Sequence, residues 1–424
     1  MNILAKQNHP KGLYLLFFME MWERFSYYGM RSLLVLYMVE GLFFSNQKAG
    51  MVYGLYTGLV YLTPIFGGYI ADRYLGQRKS IKIGAVLMCL GLFLLAISER
   101  AFDFSLFVLV IANGFFKPNI SSLLGLLYEK TPDKKDSAFT IFYLGINIGA
   151  FFSPLICATL ALKYGYRYGF LASATGMLAG IIVFLLFEAK LLKDRGIYPV
   201  SKIQNSAKEK LTKRQIKRIQ ALFVLMFFVI IFWICYEQAG SSMTLFAQYS
   251  TRRELFNFLI PSSWLQSLNP LYIMFLAPLM ASGWIYLKNK NIKITSIDKF
   301  LIALFLMSFA FLVMAFCGYL SLGSKVSILW LVVVYFIMTV AELCLSPIGL
   351  SMVSKLAPQK FASFFMGVWF LTSFFGNFFA GLWGGKYGQV NNFTLFFTLS
   401  ILSFISAFVF WLLMPKLKKI TGKI

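Results

Sequence analysis

Long apolar runs recur along this 424-residue chain from one end to the other. Each is about 20 residues or a little longer, the length a helix needs to cross the hydrocarbon core of a bilayer. In the first half they fall at 12–38, 47–71, 80–98, 104–127, 138–160 and 168–188. In the second half they fall at 219–247, 266–287, 299–321, 326–356, 363–384 and 392–414. The pattern predicts an all-α membrane protein with twelve transmembrane helices, since a spanning helix satisfies its own backbone groups where no water can.

Between the halves, residues 189–218 form a basic stretch too polar to span, which divides the chain into six-helix bundles at 1–188 and 219–424. The halves share a pattern. Phe142-Tyr143-Leu144 precedes Gly149, Phe151 and Phe152 in the fifth span, and Trp369-Phe370-Leu371 precedes Gly376, Phe378 and Phe379 in the eleventh, at the same spacing. Pro118 of span four has a counterpart in Pro347 of span ten. Two six-helix halves related in this way are the plan of the major facilitator fold.

Composition narrows the class further. Hydrophobic residues make up 59% of the chain and charged residues 13%, against about 25% charged in a soluble protein. The net charge of +24 invites a nucleic-acid reading, but its placement argues otherwise. Basic residues gather in alternate loops: Arg73, Arg78, Lys79 and Lys82; Lys130, Lys134 and Lys135; Lys190 to Arg218; Lys288, Lys290 and Lys293; Lys355 and Lys360; and Lys416, Lys418 and Lys419. That alternation follows the positive-inside rule and puts both termini in the cytoplasm. No nucleic-acid partner is expected. The first apolar run has no small-residue cleavage site and reads as an uncleaved span. Cys89, Cys157, Cys235, Cys317 and Cys344 all lie in apolar runs, without disulfide or metal-ligand spacing.

Candidate chemistry is concentrated in the first span. Glu20, Glu23, Arg24, Tyr27, Tyr28 and Arg31 recur at steps of three and four, which puts them on one face of a helix. A charge at the bilayer centre costs about 2.5–3.5 kcal/mol on insertion scales, so these groups must face the bundle interior or a water-filled cavity. Glu20 and Arg24 are spaced for an i,i+4 pair, so part of the stripe is expected to be structural. Lys117 in span four, Glu237 in span seven and Glu342 in span ten are lone ionisable groups in apolar helices. Arg31 and Lys117 come from the first half, Glu237 and Glu342 from the second. That separation of charge suits a zwitterionic ligand. Asn147 and Asn269 supply amide groups, with helix–helix hydrogen bonding as the plain alternative. Tyr27, Tyr28, Tyr61, Trp233 and Trp369 are candidate pocket aromatics in a chain that is 18% aromatic.

These residues resemble the proton-coupled oligopeptide transporter family along nearly the whole chain. The Glu-x-x-Glu-Arg-Phe-x-Tyr-Tyr-Gly signature stands at Glu20 to Gly29, and Gly67-Gly68-Tyr-Ile-Ala71-Asp72-Arg73-Tyr-Leu-Gly76 looks like the family's loop motif. Phe142 to Gly149 is similar to its span-five signature, and Glu342 to Pro347 to its Glu-Leu-x-Leu-Ser-Pro. The resemblance implies that Arg31 and Lys117 meet a peptide carboxylate and Glu342 the peptide ammonium. Asn147 and Asn269 would meet the peptide backbone, with Ser346 nearby. It implies that Glu20, Glu23 and Arg24 couple protonation to transport in contact with Lys117. Glu237 would join Arg31 in a gate, and Asp72 and Arg73 would brace the cytoplasmic ends of helices.

Two features set the chain apart. Many bacterial relatives carry two extra helices between the halves, and the stretch from Lys190 to Arg218 has no room for them. His9, the one histidine, precedes the first span, so proton carriage would rest on carboxylates. The expectation is a symporter of a bacterial-type cytoplasmic membrane that imports di- and tripeptides with protons. It would be monomeric among membrane lipids, with no cofactor beyond the coupling proton, no metal and no enzymatic activity. The alternative is a carrier of single amino acids or of a small anion such as nitrate.

Overall fold

The computed structural model describes residues 9–199, 212–255, 257–292, 294–358 and 362–421. Most of the basic linker, 200–211, lies outside the described residues, as do Lys293, Lys360 and the side chains of Pro347 and Lys355.

Thirteen helices follow in order among the described residues: α1 (Lys11–Leu36), α2 (Asn46–Ile70), α3 (Gln77–Ile97), α4 (Phe102–Leu127), α5 (Lys135–Tyr164), α6 (Tyr166–Leu192) and α7 (Lys213–Tyr236). Then come a short α8 (Ser242–Tyr249), α9 (Leu268–Asn289), α10 (Ser296–Leu320), α11 (Leu329–Leu356), α12 (Ala362–Gly384) and α13 (Asn392–Thr421). Each apolar run expected to span contains one long helix. Eleven helical segments are apolar and long enough to cross a membrane. The twelfth long helix, α1, departs from that standard because of its own charged stripe.

The helices outrun the apolar runs at several ends. α7 begins at Lys213, where Thr212 accepts from the Gln215 amide and the Gln215 side chain accepts from Thr212 in a capping box. Such a cap satisfies amides that would otherwise have no partner in the first turn. The seventh span is interrupted. After Tyr236 the chain forms a 3₁₀ turn, Glu237–Gly240, before α8 resumes the path. Gln238 is fully buried there; its amide nitrogen donates to the carbonyls of Ile234 and Ala380, and its oxygen accepts from Ser242. Tyr335 and Thr244 both donate to the freed carbonyl of Ala239. Irregular backbone at membrane depth needs such substitute partners.

The chain forms two compact units, Met1–Tyr37 with Leu59–Ile203, and Met38–Gly58 with Gln204–Ile424. In the first unit, α1 packs against α5 and α6, and α3 against α4 and α6. The α5–α6 connection is the single residue Gly165 at φ 99°, a conformation that glycine adopts without a steric penalty. α1 reaches α5 closely at Gly149, where a Cβ would collide with the Met21 carbonyl oxygen. In the second unit, α7 packs on α12 and α13, and α10 on α11 and α13. The first half of α2 belongs here: Gly50 and Gly54 meet the backbone at Gly381 of α12, the small-residue packing that lets membrane helices approach.

Replacement Gly149→Leu is expected to push α1 away from α5. Overpacking of this kind costs about 1–3 kcal/mol. A thermal melt of purified protein in detergent should show a transition several degrees lower, whereas an unchanged transition would contradict the close approach.

Candidate functional site

The polar stripe of α1 is buried in the first unit as its helical spacing predicts. Glu20, Glu23, Arg24, Tyr27 and Arg31 are all less than a tenth exposed. Their grouping follows from the helix alone, because steps of three and four stack side chains on one face. Arg24 is the hub. Its Nε donates to Glu23 Oε2, its Nη2 donates to Glu23 Oε1 at 2.6 Å, and its Nε lies 3.4 Å from Glu20 Oε1. The guanidinium therefore bridges two carboxylates on its own helix. The second oxygen of Glu20, Oε2, is buried without a hydrogen-bond partner.

Aromatic rings continue the stripe outward. Arg24 lies over the Tyr27 ring at 5.0 Å and the Tyr28 ring at 5.9 Å, and Arg31 lies over Tyr28 at 6.0 Å. Tyr27 and Tyr28 meet edge to face at 5.2 Å. Guanidinium planes favour such faces. Lys117 of α4 is within electrostatic reach of Glu20, Glu23, Arg24 and Arg31. Its Nζ stands over the Tyr61 ring of α2 at 4.3 Å, and among the described residues no carboxylate lies within ion-pair distance of it. Its direct contact is thus an aromatic face. Asn147 is buried on α5, and its amide donates to the Tyr143 carbonyl one turn back.

The second unit holds its own polar knot. Glu342 of α11 accepts on Oε2 from the Tyr236 hydroxyl at 2.7 Å and from Asn269 Nδ2 at 2.8 Å. Asn269 also donates to Thr339 Oγ1 at 3.2 Å. Three elements, α7, α9 and α11, thus converge on one carboxylate. Ser346, one turn beyond Glu342, has a buried hydroxyl oxygen without a hydrogen-bond partner. Trp369 of α12 is buried against Gly349 of α11. Glu237 is buried too, in the 3₁₀ turn that interrupts the seventh span. Tyr236 and Thr339 were not singled out in the sequence. Tyr236 had a local signal in its place beside Glu237, but its pairing with Glu342 crosses 106 residues and no periodicity shows it.

At the loop after α2, Asp72 accepts from Gln77 Nε2 at 3.0 Å, and Arg73 stays on its own segment, donating to the Tyr69 hydroxyl. The ion pairs that tie helices together at this end involve other residues. Arg78 Nε lies 3.0 Å from Glu188 Oε2, and Lys82 Nζ lies 2.9 Å from Glu188 Oε1. Arg78 also donates to the Lys193 carbonyl at 2.6 Å, so α3 holds both the end of α6 and the start of the linker.

Comparison with known proteins agrees with this architecture. The model of the POT family matches residues 78–189 and 186–398. The peptide transporter YePEPT of Yersinia enterocolitica is 32% identical over 97% of this chain and 95% of its own. Dipeptide and tripeptide permease B of Aliivibrio fischeri is 34% identical over 88% and 85%. Among solved structures, a substituted form of a peptide transporter POT in complex with alafosfalin superposes with a TM-score of 0.92 at 30% identity, covering 98% of this chain and 97% of that one.

Removing Arg24 alone would leave Glu23 buried and uncompensated, which costs about 3–5 kcal/mol. Arg24→Gln is therefore expected to lower the melting transition sharply, and the combined Glu20→Gln, Glu23→Gln and Arg24→Gln variant to recover much of the loss. A combined variant less stable than the single one would show that the charges are not paired as described.

Proposed function

The chain belongs to the POT family, and on that premise we propose that it is a multi-pass transporter that imports di- and tripeptides together with protons by alternating access. What carries the reading is the chemistry of the two buried polar groups. One unit presents the cations Arg31 and Lys117 in apolar helices. The other presents Glu342, held by two donors on one oxygen. A peptide needs both signs, because its two ends are opposite charges.

In this reading Arg31 and Lys117 meet the carboxylate of the peptide and Glu342 its ammonium. Asn147, Asn269 and Ser346 offer polar contacts to its backbone, and Tyr27, Tyr28, Tyr61 and Trp369 frame the side chains. Glu20, Glu23 and Arg24 with Lys117 form the proton-coupling group. Arg31 and Glu237 form a gate, while Asp72 and Arg73 brace the cytoplasmic side. The protein acts in a bacterial cytoplasmic membrane with both termini inside, as a monomer. The bridging of two carboxylates by Arg24 supports the coupling role, since a proton arriving at either one would loosen that one's hold on the guanidinium. The driving force is sufficient: one charge moved through 100 mV is worth about 2.3 kcal/mol, or roughly fifty-fold accumulation.

Proteoliposomes loaded at neutral pH and placed in acidic buffer should take up a labelled dipeptide, and a protonophore should abolish the accumulation. Undiminished accumulation after collapse of the gradient would overturn proton coupling. Glu342→Gln should weaken dipeptide binding by about tenfold or more, equivalent to 1.4 kcal/mol. Intact dipeptide binding in that variant would remove the ammonium site. Competition by free amino acids or nitrate stronger than by dipeptides would favour the alternative substrates.

A further inference from the structure

Asn113 lies in the middle of α4, one turn before Lys117. It is 1% exposed, and among the described residues neither its amide nitrogen nor its amide oxygen has a hydrogen-bond partner. A buried donor or acceptor left unmade costs about 1–3 kcal/mol, and a leucine would avoid that penalty. Other buried asparagines here behave differently. Asn119, Asn147 and Asn377 each donate to the carbonyl four residues back, on Phe115, Tyr143 and Ser373. Asn113 does not turn back onto its own helix.

Its direction follows from the packing of its neighbours. Ala112 and Phe116 face Gly84 of α3, and Gly114 faces Thr63 and Gly67 of α2. At about 100° per residue, Asn113 falls between those two flanks, on the same side as Lys117. Charged groups of α1 within electrostatic reach of Lys117 include Glu20, Glu23, Arg24 and Arg31. So an uncommitted amide stands about 6 Å along the helix from a lysine that has, among the described residues, no carboxylate at ion-pair distance. On α1, Glu20 Oε2 is uncommitted as well.

We propose that Asn113 is a positioning residue of the proton step: its amide holds ordered water beside Lys117, and that water links Lys117 to Glu20. This role presupposes the proton-coupled reading above and extends it to a residue outside the stripe. Water fits the amide better than substrate does. A peptide carboxylate would accept from the amide nitrogen and leave the amide oxygen unpaired. Water both donates and accepts, and a buried water makes about three hydrogen bonds to groups otherwise unsatisfied. One water can donate to the Asn113 amide oxygen and to Glu20 Oε2 while accepting from the Lys117 ammonium, and a second can accept from the Asn113 amide nitrogen.

The test compares Asn113→Leu and Asn113→Thr with the wild type in proteoliposomes. Leucine removes the hydrogen-bonding group at similar size, while the threonine hydroxyl keeps one donor and an acceptor. The leucine variant is expected to melt no lower than the wild type and to bind dipeptide with affinity changed by less than about threefold. Its gradient-driven uptake should fall by about tenfold or more, with the threonine variant restoring much of the rate. Wild-type uptake in the leucine variant would overturn the role. Loss of dipeptide binding would overturn it in favour of a substrate contact, and a sharply lowered melting transition in favour of a structural one. Dependence of wild-type uptake on the gradient is measured in the same vesicles, so a failure of proton coupling is recognised separately from a failure of Asn113.

Discussion

The placement of charge at membrane depth governs this structure. Arg24 is buried in an apolar helix, and it is held by carboxylates of its own helix. Glu23 bonds it through both oxygens and Glu20 stands at the next turn. That arrangement is local, so it needs no partner from the rest of the fold for its charge balance. What the fold must supply is enclosure. α5 and α6 pack on α1, and Gly149 lets α5 come close enough to seal it. A larger residue there would open the stripe to lipid, and the energy of the buried charges would then work against the fold.

The two units solve the same problem by different means. The first stacks its cations on aromatic faces: Arg24 on Tyr27 and Tyr28, Arg31 on Tyr28, Lys117 on Tyr61. Such contacts favour a cation over the face of a ring. The second unit neutralises the exposure of its carboxylate with hydrogen bonds from Tyr236 and Asn269. One oxygen of Glu342 carries both bonds, which leaves the group oriented by its neighbours without an ion pair to break.

The break in the seventh span belongs to the same economy. A continuous helix from Lys213 would carry Glu237 on regular backbone. The 3₁₀ turn Glu237–Gly240 re-aims the chain, and Gln238, Tyr335 and Thr244 satisfy the exposed backbone groups. At the start of α3, Arg78 ties this helix to Glu188 of α6 and to the Lys193 carbonyl.

By itself the sequence determined the features that depend on short-range order. Apolar length located each long helix, because a bilayer imposes one span length on every crossing. Helical periodicity placed Glu20, Glu23, Arg24, Tyr27, Tyr28 and Arg31 on a single face, and i,i+4 spacing marked the Glu20–Arg24 pair. Helix ends were less legible, since capping at Thr212 and continuation past the apolar run are decided by individual hydrogen bonds. Only the tertiary structure decided the contacts between distant segments: Tyr236 and Asn269 on Glu342, Tyr61 under Lys117, Glu188 on Arg78, and an Asn113 amide left without a partner. The physical reason is that periodicity fixes which way a side chain points from its own helix. What stands opposite depends on the packing of other helices, and a single sequence does not encode that in any local pattern.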